Sequence, residues 1–161
     1  MKKIICLCLV FVMSLGMMAC AKETQTSKYL TECEYIREWS SAEITTSKTD
    51  SFGIVRENCI VVDDTDEISS NAMYAIDDSY ATLTGTIVCS ENAKPGETGR
   101  VDIYVDYVRV YSTPIISVDT EAVEFSIEIP DAKMLIIDVV ETGTTEGGSI
   151  SIILSDFKLN K

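Results

Sequence analysis

The most constraining feature of the sequence is an alternation of apolar and polar residues that runs from Arg100 to Lys161. Successive side chains of a β-strand point to opposite faces, so a period of two residues predicts strands with one buried and one solvated face. The strands predicted in this part of the chain are Arg100–Asp106, Val108–Tyr111, Val123–Ile129, Met134–Val140 and Ile150–Leu159.

Shorter apolar segments continue the pattern through the first half of the chain. Residues Ser40–Ser51 are rich in Ser and Thr and carry no apolar stripe, which is typical of a loop. Gly85 lies inside a predicted strand and indicates a bulge or a close backbone approach there. The strands predicted in this half are Tyr29–Arg37, Asn58–Val62, Asn71–Ile76 and Tyr80–Ser90.

The spacing of these strands predicts the fold class. Turn-forming residues separate the strands, and no amphipathic helix pattern lies between them. A chain of 161 residues fits one domain with one core. We therefore predict an all-β, antiparallel β-sandwich.

The charge of the chain restricts its partners. Asp and Glu number 26 against 13 Lys and Arg, which gives a formal net charge of −13. Such an acidic surface repels phosphate groups, so we expect no nucleic-acid partner and no membrane binding through a basic patch.

The N-terminus predicts export. Two lysines follow Met1, and the run from Ile4 to Cys20 carries no charge, as in a secretory signal. Leu15 and the segment Met17–Cys20 resemble the lipobox of bacterial lipoproteins. That resemblance implies cleavage after Ala19, a lipid on Cys20 and an extracytoplasmic, membrane-anchored protein of the cell envelope. The alternative is an uncleaved membrane helix, for which 17 residues are barely long enough.

The predicted organisation has three parts: a signal peptide at residues 1–19, a flexible tether at residues 20–28, and a sandwich domain at residues 29–161. Three cysteines remain in the domain, namely Cys33, Cys59 and Cys89. One disulfide with one free thiol, or three buried thiols, would fit an exported protein equally well.

A series of apolar and aromatic segments follows one order along the core strands, namely Phe52–Gly53, Tyr80, Leu83–Ile87, Val101–Asp106, Val110–Ser112, Phe125–Ile129, Leu135–Ile137 and Ser155–Leu159. In this order the chain resembles the NPCBM family of carbohydrate-binding-module domains. The resemblance implies a galactose-binding-like jelly roll and a carbohydrate ligand.

The candidate ligand-binding residues are aromatic and polar residues in predicted connections. Counting alternate strand directions places Trp39, Asp77–Asp78 and Asp106–Tyr107 at one end of the sandwich. We predict that Trp39 and Tyr107 stack on a sugar ring while Asp106 and Arg109 form hydrogen bonds with it. The alternative is that Trp39 caps the core and Tyr107 covers an outer face.

The acidic segment Asp63–Glu67 is a candidate calcium loop, because carboxylates suit that ion. It lacks the spacing of an EF-hand, so we expect a solvated loop and predict no metal site.

No constellation for catalysis is visible in the sequence. The chain has no histidine and no G-x-S-x-G, H-E-x-x-H or phosphate-loop motif. We therefore predict no enzyme activity and no cofactor. The predicted function is a lipid-anchored, extracytoplasmic, non-catalytic carbohydrate-binding module. The alternative is a structural or protein-interaction subunit of a cell-surface assembly.

Overall fold

A computed structural model describes residues 26–63, 69–143 and 150–161. These residues form eleven β-strands and one short 3-10 turn at Leu30–Glu32. The strands are β1 (Ser27–Tyr29), β2 (Tyr35–Arg37), β3 (Ala42–Thr49), β4 (Val55–Asp63), β5 (Ser69–Ala75), β6 (Thr82–Cys89), β7 (Gly99–Val105), β8 (Val108–Ser112), β9 (Val123–Glu128), β10 (Met134–Glu141) and β11 (Ser151–Asn160).

The strands pair into two antiparallel sheets. One sheet has the order β3-β4-β11-β6-β9, and β1 pairs with the C-terminal part of β11 beside β4. The other sheet has the order β2-β5-β10-β7-β8. From β4 to β7, and again from β8 to β11, each connection crosses from one sheet to the other. The predicted all-β, antiparallel jelly-roll sandwich is confirmed.

The core fills the space between the two sheets. Alternate residues of the central strands point into it, as the sequence pattern requires. Fully buried examples from four strands are Ile60, Ile87, Ile137 and Leu154. Each such side chain stabilises the fold by about 1.5–3 kcal/mol relative to leaving it in water.

Gly85 provides room for the aromatic part of the core. A Cβ atom at this position would lie 2.5 Å from the Phe157 ring and 3.1 Å from Phe125. The two phenyl rings meet edge to face at 5.0 Å, and Tyr111 stacks on Phe125 at 5.1 Å. Of the two reasons predicted for this glycine, the close approach is the one the structure supports.

The five strands predicted from Arg100 onward are confirmed as β7 to β11, and each predicted boundary lies within about one residue of the observed one. The strands predicted at Asn71–Ile76 and Tyr80–Ser90 correspond to β5 and β6.

Two predictions for the N-terminal region were wrong. The single strand predicted at Tyr29–Arg37 is divided by the 3-10 turn into β1 and β2, which belong to different sheets. The loop predicted at Ser40–Ser51 is mostly strand β3. That strand lies at a sheet edge with mostly exposed side chains, so it has no buried face to produce an apolar period. Strand β1 also begins at Ser27, two residues before the predicted start of the domain.

The β3–β4 hairpin bends and covers the outer face of its own sheet. Its ladder omits the pair Thr46–Asn58, and Asn58 has a left-handed φ of 48°. Beyond this bend the hairpin reaches β6, where Asp50 forms a bridge with Ser90. A second apolar cluster lies on that outer face and consists of four fully buried residues, namely Cys59, Val61, Val88 and Ile153.

Asp50 holds the tip of this hairpin together. Its Oδ1 accepts hydrogen bonds from the N–H groups of Phe52 and Ile54, both at 2.9 Å. Its Oδ2 lies 2.8 Å from the guanidinium of Arg56. Burial raises the pKa of Asp50, but these hydrogen bonds and the Arg56 charge outweigh that effect, so the pKa lies below its ordinary value.

The three cysteines of the described residues are all free thiols. The structure therefore shows no disulfide among them, and the alternative of three buried thiols holds for two of the three, because Cys33 is only partly buried. Cys59 and Cys89 are fully buried, and burial raises the pKa of Cys89 to about 12. Both thiols are therefore protonated near neutral pH.

Within the described parts of the chain, no helix is long and apolar enough to cross a membrane. The predicted signal peptide at residues 1–19 and Cys20 lie outside the described residues. Asp64, Asp66 and Glu67 of the candidate calcium segment also lie outside them. Asp63 ends β4 and accepts a hydrogen bond from the Ser151 hydroxyl. The described residues contain no acidic or cysteine cluster suited to a metal ion.

Replacing Asp50 should give a pH-dependent loss of stability. Asp50→Asn keeps an oxygen acceptor but removes the charge pair with Arg56, so we expect a loss of about 1–3 kcal/mol near neutral pH. Because the folded pKa is depressed, this contribution is complete above the unfolded value of about 3.9 and disappears as the pH falls through the folded pKa. Urea unfolding of parent and variant across this range measures it.

The control for this experiment is Glu57→Gln, which removes an exposed carboxylate from the same hairpin. Equal losses in the two variants, or a loss in Asp50→Asn that persists unchanged in acid, would contradict the assigned role of Asp50.

Candidate functional site

Trp39 lies in the connection from β2 to β3, which passes from one sheet to the other. Two serines fix the path of this connection. The Ser40 and Ser70 hydroxyl oxygens lie 3.1 Å apart, and the Ser41 hydroxyl donates to the carbonyl of Asp63. The backbone on either side of the indole is therefore tied to both sheets.

The indole itself is anchored by a buried phenol. Trp39 Nε1–H donates a hydrogen bond to the Tyr74 hydroxyl at 3.0 Å. Tyr74 is fully buried, and its ring lies 4.9 Å from that of Tyr35. Burial strongly raises the pKa of Tyr74, so the acceptor is a neutral phenol. The hydrogen bond fixes the indole orientation while Trp39 remains only half-buried.

An open cleft of about 350 Å³ lies against Trp39. Its chemistry combines two aromatic rings and aliphatic groups with one carboxylate. Aromatic rings offer flat apolar faces, and a carboxylate accepts hydrogen bonds from hydroxyl groups. The cleft is lined by Tyr35, Glu38, Trp39, Ala42 and Ile44. We call it the Trp39 cleft.

Asp106 and Tyr107 form the tight turn between β7 and β8. Both have left-handed backbone angles, with φ of 47° and 70°. The Asp106 carboxylate accepts hydrogen bonds from the N–H groups of Met134 at 3.0 Å and Lys133 at 3.3 Å. Asp106 therefore ties the turn to the start of β10. The Tyr107 side chain is 72% exposed.

Arg109 belongs to a charge network on the outer face of the five-stranded sheet. Its guanidinium lies 3.5 Å from Asp102, which is only 1% exposed. Arg100 lies 3.1 Å from the same carboxylate, and the Ser112 hydroxyl donates to it at 2.5 Å. Arg109 is 54% exposed, so part of its guanidinium remains accessible.

The structure does not bring the four predicted residues together. Trp39 follows β2, whereas Tyr107 directly precedes β8 and Arg109 lies in it. Strands β2 and β8 are the opposite edges of one sheet. Adjacent strands are about 4.8 Å apart, so four spacings separate the two edges by roughly 19 Å. Asp106, Tyr107 and Arg109 lie within one hairpin. A single sugar ring cannot contact both groups.

Trp39 was also predicted at the wrong end of the sandwich. Its connection lies beside Asp63 and Ser70, whereas Asp77 follows the other end of β5, near Asp106. The strand count failed because the predicted loop Ser40–Ser51 contains strand β3, which reverses the chain direction between Trp39 and Asp63. Asp77–Asp78 and Asp106–Tyr107 do share one end, as predicted.

A second cleft, of about 270 Å³, lies near the chain termini. Its walls include Lys28, Cys33, Asp77 and Tyr80. Burial raises the pKa of the Cys33 thiol and the Tyr80 phenol, so both groups are neutral near physiological pH. Neither is activated for chemistry, and this cleft has no aromatic pair like that of the Trp39 cleft.

Sequence reasoning missed most of the Trp39 cleft. Tyr35 lies in a segment predicted as one continuous strand, and Ala42 and Ile44 lie in a predicted loop. Glu38 directly precedes Trp39, so the sequence could have suggested it as a further residue of the site. The Tyr74 partner lies 35 residues away, and no local pattern indicates that pairing.

The chain matches no protein-family model and no curated protein sequence. Its fold is similar to that of solved CBM51 carbohydrate-binding modules. The first is CBM51 from Clostridium perfringens GH95, in complex with methyl-galactose. That match has 18% identity and a TM-score of 0.68, and it covers 84% of this chain and 100% of the other.

Two other matches are parts of larger structures. The tandem CBM51 modules of Sp3GH98, the family 98 glycoside hydrolase from Streptococcus pneumoniae SP3-BS71, match with 19% identity and a TM-score of 0.62. The CBM51-2 and INT domains from C. perfringens ZmpB, in complex with GlcNAc, match with 13% identity and a TM-score of 0.59. Each match covers 84% of this chain, but only 47% and 31% of those chains. The likeness shows a galactose-binding-like β-sandwich.

The β7–β8 turn should depend on Asp106 for stability. Asp106→Ala removes a charged acceptor of two backbone N–H groups and a residue type that tolerates a left-handed φ, so we expect a loss of about 1.5–3 kcal/mol. Tyr107→Asn also suits a left-handed φ and removes only an exposed ring, so its effect should be small. Denaturant unfolding of the two variants makes the comparison, and equal effects would contradict the structural role of Asp106.

Proposed function

We propose that the protein is a non-catalytic carbohydrate-binding module and that it binds sugar in the Trp39 cleft. The observation that carries the proposal is the half-buried indole of Trp39, fixed by the buried Tyr74 hydroxyl at 3.0 Å beside an open cleft. A rigid aromatic face next to a carboxylate suits the C–H face and the hydroxyl groups of a sugar.

The fold supports the same conclusion. One of the similar solved modules is in complex with methyl-galactose and another with GlcNAc. We take neutral sugars of these two kinds as the first ligands to test. The resemblance to the NPCBM family, found in the sequence, points to the same ligand class.

The described residues favour binding over catalysis. The chain has no histidine, and the thiols of Cys59 and Cys89 are buried and protonated. Glu38 is the one carboxylate that lines the Trp39 cleft, whereas glycoside hydrolysis ordinarily uses a pair.

We further propose that the module is anchored outside the cytoplasm by lipid on Cys20. The support is the uncharged leader and the lipobox-like Met17–Cys20. Two acyl chains hold a protein on a bilayer durably, because each buried CH₂ contributes about 0.8 kcal/mol. Strand β1 begins at Ser27, so a short segment would connect the lipid to the sandwich.

A protein-interaction role is the second candidate. It is favoured by exposed apolar residues on the edge strand β8 and the turn before it, where Tyr107, Val108 and Val110 lie. An edge strand with exposed apolar groups can pair with another chain.

Trp39 is the only tryptophan in the sequence, so its emission reports directly on the cleft. We expect titration with galactose, GlcNAc or their oligomers to change this emission. Trp39→Ala should weaken sugar binding by at least about tenfold, which corresponds to about 1.4 kcal/mol. Trp39→Phe should retain part of the affinity, because it keeps an aromatic face but loses the N–H to Tyr74. Calorimetry measures each affinity.

The comparison variant is Tyr107→Ala, which removes an exposed ring at the opposite sheet edge. We expect it to bind sugar like the parent. Loss of binding in Tyr107→Ala but not in Trp39→Ala would move the site to the β7–β8 hairpin. Thermal unfolding of all three variants separates lost binding from lost folding.

The lipid anchor predicts a change on replacing Cys20. In a bacterial host, the parent should be recovered with membranes and should carry a mass increase from acylation on Cys20. Cys20→Ala should abolish the lipid mass, and it should also retain its leader, because cleavage before this cysteine follows lipid attachment in bacterial lipoproteins. A parent chain that retains Met1 and has no lipid would contradict the proposal.

A further inference from the structure

A further cleft adjoins the Trp39 cleft along the same edge of the sandwich. It has a volume of about 240 Å³, and Ile44 lines both clefts. The lining residues of the second cleft are Thr31, Ile44, Thr45, Thr46 and Asn58. We call it the threonine cleft.

The two clefts follow the edge strand β3. Strand β3 is the outermost strand of its sheet, and the 3-10 turn at Leu30–Glu32 contributes Thr31 to the far side. A strand rises about 3.3 Å per residue, so the four steps from Ala42 to Thr46 span roughly 13 Å. Ile44 stands midway and is 48% exposed, so its side chain offers an apolar surface between the two clefts.

The lining chemistry changes along this path. The Trp39 end offers aromatic faces, whereas the far end is lined by three threonines and one asparagine. The Thr45 hydroxyl donates to the Ser47 carbonyl at 3.2 Å. Thr31, Thr46 and Asn58 are therefore the residues with polar groups to offer a ligand. The Asn58 side-chain amide donates to Asp156 at 2.7 Å, which holds it in place and leaves its amide oxygen as an acceptor. Hydroxyl and amide groups can both donate to and accept from the hydroxyl groups of a sugar.

The sizes of the clefts also favour joint use. Small-molecule sites usually enclose about 300–1,000 Å³. The Trp39 cleft, at about 350 Å³, is near the lower limit, and the threonine cleft is below it. A ligand that occupied both would have a site of ordinary size.

We propose that the Trp39 cleft and the threonine cleft form one groove for a linear oligosaccharide. One sugar ring lies against Trp39, and the chain then crosses Ile44 so that a later ring contacts Thr46 and Asn58. This inference rests on the proposed function, because it assigns a length to the ligand of that same site.

An extended peptide fits this edge less well than a sugar chain. A peptide would gain affinity by pairing with the free edge of β3. The β3–β4 hairpin bends where its ladder omits Thr46–Asn58, and this bend interrupts a straight added strand. Sugar rings need no continuous backbone ladder, so the bend does not exclude them.

The test compares single sugars with their linear trimers. The probes are galactose with β-1,4-galactotriose, and GlcNAc with triacetylchitotriose, each titrated calorimetrically into the protein. For whichever sugar binds, we expect the trimer to bind at least about tenfold more tightly, because additional contacts along Ile44 and Thr46 are worth about 1.4 kcal/mol or more.

Thr46→Glu adds bulk and charge to the threonine cleft and should reduce trimer affinity to that of the single sugar. Thr31→Glu tests the same cleft from a different element of the fold. The matched control is Ser126→Glu, which introduces the same side chain on the exposed edge strand β9. It should preserve the preference for the trimer. Thermal unfolding identifies any variant that fails to fold.

The outcomes separate this inference from the proposed function. Equal affinities for single sugar and trimer, with binding lost in Trp39→Ala, would overturn the groove and leave the Trp39 site standing. A preference for the trimer that survives in folded Thr46→Glu and Thr31→Glu would also overturn it. Absence of binding by all four probes would count against both proposals.

Discussion

Burial of β11 on both faces is the constraint on which the rest of the structure depends. Residues Ser151–Ser155 are all buried, with one face turned to the core between the sheets and the other to the outer cluster that contains Ile153. A strand buried on both faces needs a second covering layer, which here is the bent β3–β4 hairpin. The bend at Asn58 is therefore part of the core packing, and the Asp50–Arg56 contact holds that layer closed.

The same bend determines the surroundings of the Trp39 cleft. Beyond Thr46 the hairpin folds over the outer face of its sheet. The first residues of β3, before the bend, therefore remain as an open sheet edge beside β2. The Trp39 connection joins these two strands across the side of the sandwich. The Trp39 cleft thus lies where the chain passes from one sheet to the other, and hydrogen bonds to both sheets set its geometry.

How much of this the sequence could predict depended on burial. Strands such as β7 and β10, with one face in the core, show the period of two and were located closely. Strand β3 was missed because an edge strand with solvated side chains has no apolar period. The break between β1 and β2 was missed because Leu30, Cys33 and Tyr35 read as one apolar segment, although the chain changes sheets between them. Only the missed strand β3 reversed the strand count that assigned Trp39 to an end, because β1 and β2 run in the same direction. The Trp39–Tyr74 pair was not predictable, since it joins residues whose proximity depends on the complete fold.

The two ends of the described chain leave the sandwich side by side. The Lys161 N–H donates to the Thr26 carbonyl at 2.9 Å, and β1 pairs with the last residues of β11. That pole lies at the opposite end of β11 from Asp63, next to which the Trp39 connection passes. A domain fused before Thr26 or after Lys161 would therefore lie at this end of the sandwich. The same holds for a surface to which either terminus is immobilised. In both cases the opposite end, beside Asp63, stays accessible.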